Sequence, residues 1–98
     1  MLTVKVSAEN GVCTAVVGGR IDSSNAAEFE QRVTEADTCP TLILDLEPLE
    51  YISSAGLRVL LSAQKKMNKQ GEMKLVHVSR TIMEIFEVTG FSDILTIE

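Results

Sequence analysis

The sequence predicts an α/β fold: a mixed, mostly parallel sheet with an antiparallel hairpin strand at its N-terminal edge and helices mainly on one face. Two alternating apolar stretches flank an Asn10-Gly11 dipeptide near the start. A strand-length apolar run, TLILDL, leads through a short break into one long amphipathic stretch, SAGLRVLLSAQKKMNKQ. From that point back to Gly18 and on to the C-terminus, strand-like and helix-like patterns alternate, which implies parallel strands joined by right-handed crossovers.

Leu2, Val4 and Val6 alternate with Thr3, Lys5 and Ser7, the period of a half-buried strand from Leu2 to Ser7. Asn10-Gly11 accepts the positive φ values of a type I′ turn, so a hairpin follows. Val12 to Val17 is the returning strand, and Gly18-Gly19 is expected to end it. Ser23, Ser24 and Asn25 are short polar residues suited to a helix start. Asn25 with Glu28 three residues on resembles a capping box. Ala26, Phe29, Val33 and Ala36 then share one helical face, and the helix is spent by Asp37 or Thr38, before Cys39-Pro40.

The strand Thr41 to Leu46 places Leu42, Leu44 and Leu46 on one side, and Pro48 prevents its continuation. The break EPLEYIS reads as loop. The helix Ser54 to Gln70 buries Leu57, Leu60, Leu61 and Met67 and turns Arg58, Lys65, Lys66 and Lys69 outward, with Gly71 as a left-handed cap. Met73 to Val78 is the next strand. Ser79 caps a shorter helix with Ile82, Met83 and Phe86 inward, Gly90 stops it, and Ile94 to Ile97 is a final short strand.

The 98 residues, 45% of them hydrophobic, suit one folded domain spanning 1–98. The net charge of −5 argues against direct nucleic-acid binding, which needs clustered Lys and Arg. Lys65, Lys66 and Lys69 lie near a helix C-terminus, where cations suit the dipole. No apolar run approaches the roughly 18 residues needed to cross a bilayer, and the N-terminus lacks the features of a signal peptide, so no membrane insertion and a cytoplasmic location are expected. In a reducing compartment Cys13 and Cys39, which lack metal spacing, are most simply unpaired thiols, although the sequence leaves their proximity open.

Catalytic patterns are missing. There is no G-x-S-x-G, since Ile52 stands two residues before Ser54. The single histidine, His77, falls in a predicted strand and reads as a side chain satisfied by its neighbours. No phosphate loop and no C-x-x-C are present. Asp45, Glu47 and Glu50 read as a solvated acidic rim, so no metal and no cofactor are expected. What remains is Ser53-Ser54 where strand gives way to helix. A hydroxyl there can be a cap, a nucleophile or a phosphate acceptor. A phosphate on it would meet free backbone N–H groups and the positive end of the helix dipole.

The span DLEPLEYISSAGLRVLL resembles the signature of the STAS domain, shared by sulphate transporters and anti-sigma factor antagonists. The matching residues are Asp45-Leu46, Leu49, Tyr51-Ile52 and Ser53-Ser54-Ala55-Gly56-Leu57. Gly19-Arg20-Ile21-Asp22 is similar to the family's G-x-[IL]-D, and GEMKLVHVS and TGFSDIL fit the later elements. The resemblance implies an anti-sigma factor antagonist, not an enzyme. Such a protein binds an anti-sigma factor that is also a serine kinase, is released when that kinase phosphorylates it, and is reset by a serine phosphatase. Aligned on Gly56 the acceptor is Ser54, with Ser53 as second choice, standing where the family often has Asp. Asp22, Ser53, Ser54, Ala55 and Gly56 are the implied partner surface. A STAS subunit of a membrane lipid-transport complex of the ABC type is the alternative.

Overall fold

The computed structural model describes residues 1–98. The N-terminal hairpin forms as its turn chemistry requires. Strand β1 (Leu2–Glu9) pairs antiparallel with β2 (Val12–Ile21), and Asn10 and Gly11 take φ values of 52° and 81°. Helix α1 (Ala26–Ala36), strand β3 (Thr41–Asp45), strand β4 (Leu49–Ile52), helix α2 (Ser54–Gln70), strand β5 (Glu72–Val76) and helix α3 (Arg80–Thr89) follow. The sheet order is β1-β2-β3-β5, with β4 also paired to β2. All pairings after the hairpin are parallel.

Register explains why one face is core. Cys13, Leu42 and Met73 lie opposite one another, as do Ala15, Leu44 and Leu75, and all six are buried. The next positions, Thr14, Ile43 and Lys74, point the other way and stay only half-buried. Phe29, Val33 and Ala36 of α1 and Leu57, Leu60 and Met67 of α2 join the same apolar cluster, so the helical layer covers that face. Leu61 is only half-buried, and Val59, Ala63 and Gln64 complete the inner side of α2. Ile82 and Phe86 of α3 close the cluster beside β4.

Several local expectations change. Gly18-Gly19 does not end β2. The strand continues to Ile21 through an irregularity between Gly19 and Arg20, where Gly19 takes φ 85° and its N–H donates to the Pro48 carbonyl at 3.2 Å. Glycine marks a bulge here because a side chain would collide with the Met1 carbonyl. The break after Pro48 is not loop. Strand β3 already ends at Asp45, before Pro48, and Leu49–Ile52 then pairs with the far end of β2, Arg20 opposite Tyr51 and Ile21 opposite Ile52. Because β1 occupies the other edge of β2, strands β3 and β4 lie end to end along the same edge.

Gly71 is extended at φ 173°, not left-handed. Its reason is space: a Cβ would overlap the Pro40 carbonyl, which accepts the Glu72 N–H at 2.9 Å. The expected last strand, Ile94 to Ile97, shrinks to a single parallel bridge between Leu75 and Ile97, preceded by a 3-10 turn, Phe91–Asp93. Ser79 caps α3 as expected, accepting the Ile82 N–H at 3.2 Å, and Gly90 is left-handed at φ 80°. The cysteines are not free thiols. Cys13 and Cys39 form a disulfide with Cα atoms 5.8 Å apart, because the α1–β3 connection folds back over the start of β2.

Candidate functional site

Two parallel strands, β2 and β4, end side by side, and each hands over to a polar segment. The Ser53 N–H donates to the Ile21 carbonyl at 2.8 Å, fastening the start of α2 to the end of β2. This bond brings Asp22 next to Ser53 and Ser54. The crevice outside the carboxyl ends of parallel strands is the usual place for function in α/β folds.

The loop carrying Asp22 is held by its own side chains. Asp22 Oδ1 accepts the Ser24 N–H at 2.9 Å and also the Ser24 hydroxyl. Asn25 was expected to cap α1 through its side chain. Instead its Oδ1 accepts the Asp22 N–H at 2.9 Å and its Nδ2 donates to the Arg20 carbonyl at 2.8 Å. The capping box with Glu28 therefore does not form, since Asn25 is spent on the loop before it. The Ser24 hydroxyl, then the Ser24 and Asn25 backbone bonds, hold the Asp22 carboxyl below its ordinary range, and desolvation opposes them only in part.

The two serines differ sharply. Ser53 is the N-cap residue, extended at φ −89° and ψ 176°, with its carbonyl accepting the Leu57 N–H at 2.9 Å. Its hydroxyl oxygen is buried and has no hydrogen-bond partner. Ser54 is the first helical residue and is exposed. Reading Ser54 as the side-chain cap therefore fails: the cap position belongs to Ser53, and no side chain caps α2. Ala55 is half-buried and Gly56 buried. A Cβ on Gly56 would come within 2.7 Å of both Ile21 Cγ2 and Ile52 Cγ1. The absence of a side chain there lets the first turn of α2 close onto both strand ends.

Beside these residues the Arg20 guanidinium carbon stands 4.6 Å from the centre of the Tyr51 ring. Both side chains are solvent-accessible, so the pair presents a cationic and aromatic patch close to the serines in the chain. The sequence pattern hides this pair, because Pro48 makes the segment carrying Tyr51 read as loop. The signal was present, since Arg20 and Tyr51 lie in the two motif segments that single out the site.

His77 is not inside a strand. It follows β5 at φ 55° and is exposed. Its Nδ1 is 3.1 Å from Asp45 Oδ1 and 4.0 Å from Glu47 Oε2. Asp45, Glu47 and His77 thus bring potential ligand atoms within 4.8 Å of one another, without Glu50. The histidine is engaged with Asp45 at the end of β3, not with Ser54, so no base for a serine nucleophile is assembled. No helix is long and apolar enough to cross a membrane.

Comparison with known proteins agrees with this fold. Residues 3–98 match the STAS domain family. The chain belongs to that family. It is 36% identical over 91 residues to BtrV of Bordetella bronchiseptica, which carries a provisional anti-sigma factor antagonist name, covering 90% of this chain and 78% of the relative. It is 33% identical over 85 residues to an anti-sigma-B factor antagonist of Listeria monocytogenes, covering 84% and 75% of the two chains. A crystal structure of an anti-sigma factor antagonist from Mycobacterium paratuberculosis superposes with a TM-score of 0.88 at 27% identity, over 99% of this chain and 85% of that one. Within this STAS domain, the joint of β2, β4 and α2 brings together Asp22, Ser53, Ser54, Ala55 and Gly56, but not as one surface: Ser54 is exposed and Asp22 and Ala55 half-buried, whereas Gly56 and the Ser53 hydroxyl are buried by the docking of α2.

Proposed function

We propose that this STAS domain is an anti-sigma factor antagonist, a regulatory binding protein and not an enzyme. It binds an anti-sigma factor through the surface around Asp22, Ser54 and Ala55, which the buried Gly56 and the N-cap residue Ser53 hold in place. The anti-sigma factor is also a serine kinase, phosphorylation at Ser54 ends the complex, and a serine phosphatase restores it. The observation that carries this reading is the contrast between the serines: Ser54 is exposed at the start of a 17-residue helix, while the Ser53 hydroxyl is buried. A kinase needs a reachable oxygen, so Ser54 is the acceptor and Ser53 is not. A phosphate on Ser54 lies near free backbone N–H groups and adds about −1.5 to −2 charges at the partner surface without unfolding α2. The antagonist names of the relatives favour this reading over a subunit of a lipid-transport complex.

The test is phosphopeptide mapping after incubation with ATP and the serine kinase encoded beside this gene. Phosphate on Ser54, abolished by Ser54→Ala and retained in Ser53→Ala, is expected. An active kinase that leaves Ser54 unmodified sinks the proposal.

A further inference from the structure

We infer that Cys13 and Cys39 form a reversible redox latch, opened and closed by thiol–disulfide exchange with a small thiol that reaches Cys39. Cys13 lies in β2 opposite Leu42 and is 4% exposed. Cys39 lies in the connection between α1 and β3 and is half-buried. Their Cα separation of 5.8 Å is one a disulfide spans without backbone movement.

The connection bearing Cys39 is fastened independently of the sulfurs. The Asp37 carboxylate meets Lys66 Nζ at 3.1 and 3.2 Å, and Gln70 Nε2 donates to the Asp37 carbonyl at 2.6 Å. The Pro40 carbonyl accepts the Glu72 N–H at 2.9 Å, and the Gly11 carbonyl accepts the Thr41 N–H at 3.3 Å. These bonds keep two reduced thiols close together, so folding has already met the cost of closing the loop between them. That is what makes the bridge re-formable.

Access is one-sided. Cys39 stands in the wall of an open cavity of about 430 Å³, together with Asp37, Thr38, Pro40, Lys66 and Gln70. A small thiolate enters there and attacks Cys39 Sγ. A new S–S bond forms, the Cys13–Cys39 bond breaks, and Cys13 Sγ leaves with the electron pair and takes a proton. A second small thiolate then attacks the mixed disulfide at the small-molecule sulfur. Cys39 leaves as a thiolate, so two small thiols have become one small disulfide and the protein carries two thiols. Closing is the reverse, with a small disulfide as oxidant. The latch lies at the opposite end of β2 from Ile21 and Ser53, so it governs the hold on the α1–β3 connection and not the serine joint.

The test equilibrates the protein with mixtures of reduced and oxidised glutathione, alkylates free thiols, and measures mass and thermal melting. Two labels under reducing mixtures, none under oxidising ones, and a melting temperature roughly 10–25 °C higher in the closed form are expected. Cys39→Ser should melt alike in every mixture, whereas Cys13→Ala should leave Cys39 carrying one glutathione, seen as a mass gain, in oxidising mixtures only. If Cys13→Ala fails to fold, Cys39→Ser and the unmutated protein carry the test. Full labelling after oxidised glutathione overturns the latch. So does a bridge that stays closed in millimolar reduced glutathione, which would make it a fixed staple. A covalent dimer on a non-reducing gel overturns it as well.

Discussion

Gly56 is packed so tightly against Ile21 that a methyl group in place of its α-hydrogen would lie 2.7 Å from the isoleucine Cγ2. Ile52 Cγ1 is equally close. Both neighbours are β-branched, buried and stiff at χ1, so neither can swing aside. The close approach sets how deeply the first turn of α2 seats on the ends of β2 and β4, and therefore where Ser54 stands relative to Asp22.

Gly56→Ala should lower stability. Alanine is the better helix former by up to about 1 kcal/mol. Overpacking costs about 1–3 kcal/mol and should win. Urea unfolding should show a lower midpoint with an unchanged slope. An equal or higher midpoint would show that the helix tolerates displacement.

Ser53→Ala should be nearly neutral. An N-cap serine that bonds its helix typically contributes about 1 kcal/mol. The Ser53 oxygen is buried without a partner, so removing it relieves an unpaired polar atom. A loss of about 1 kcal/mol or more in denaturant unfolding would contradict the geometry.

Ser54→Asp should separate binding from stability. A negative charge in the first turn suits the helix dipole, contributing about 0.3–1 kcal/mol. The same charge at the partner surface should weaken anti-sigma factor binding tenfold or more, about 1.4 kcal/mol. Calorimetric titration beside a thermal melt reads both. An unchanged dissociation constant would count against an electrostatic switch.

Asp22 gives a pH dependence of known sign. Its folded carboxyl titrates below the unfolded value of about 3.9, first because of the Ser24 hydroxyl and then the backbone bonds. In that window the unfolded chain binds more protons, so stability rises with pH. The contribution is present above the unfolded value and is lost as pH falls through the lower folded one. Asp22→Asn should flatten the acid limb of a stability profile below about pH 4 and leave its shape near neutrality unchanged.

Lys66→Met should destabilise more than an ordinary surface change. The Asp37 side chain is only 5% exposed, and Lys66 is its charged partner. Lys66 is half exposed, so solvent screens the pair and the loss should be about 1–3 kcal/mol, below that of a fully buried pair. Thermal unfolding at low and high salt checks it.

Much of this was legible because the signals are local. Asn10-Gly11 can scarcely avoid its turn, and the Leu42, Leu44 and Leu46 alternation can bury only one way. Ser79 and Gly90 bracket α3 by capping chemistry alone. The two motif segments that resemble the STAS signature likewise pointed to Asp22, Ser53 and Ser54 before any contact was known.

What the chain could not announce depends on partners distant in sequence. Pro48 reads as the end of a strand, yet Leu49–Ile52 pairs because the exposed edge of β2 runs on past β3. Gly71 reads as a left-handed cap, yet it is extended because the Pro40 carbonyl arrives from another connection. The two cysteines, 26 residues apart, meet only when α1 returns its loop to the start of β2. The same holds for the serines. Their adjacency to a helix start follows from periodicity. Which hydroxyl is buried and which is exposed was decided by how α2 docks, where Gly56 presses against Ile21 and Ile52.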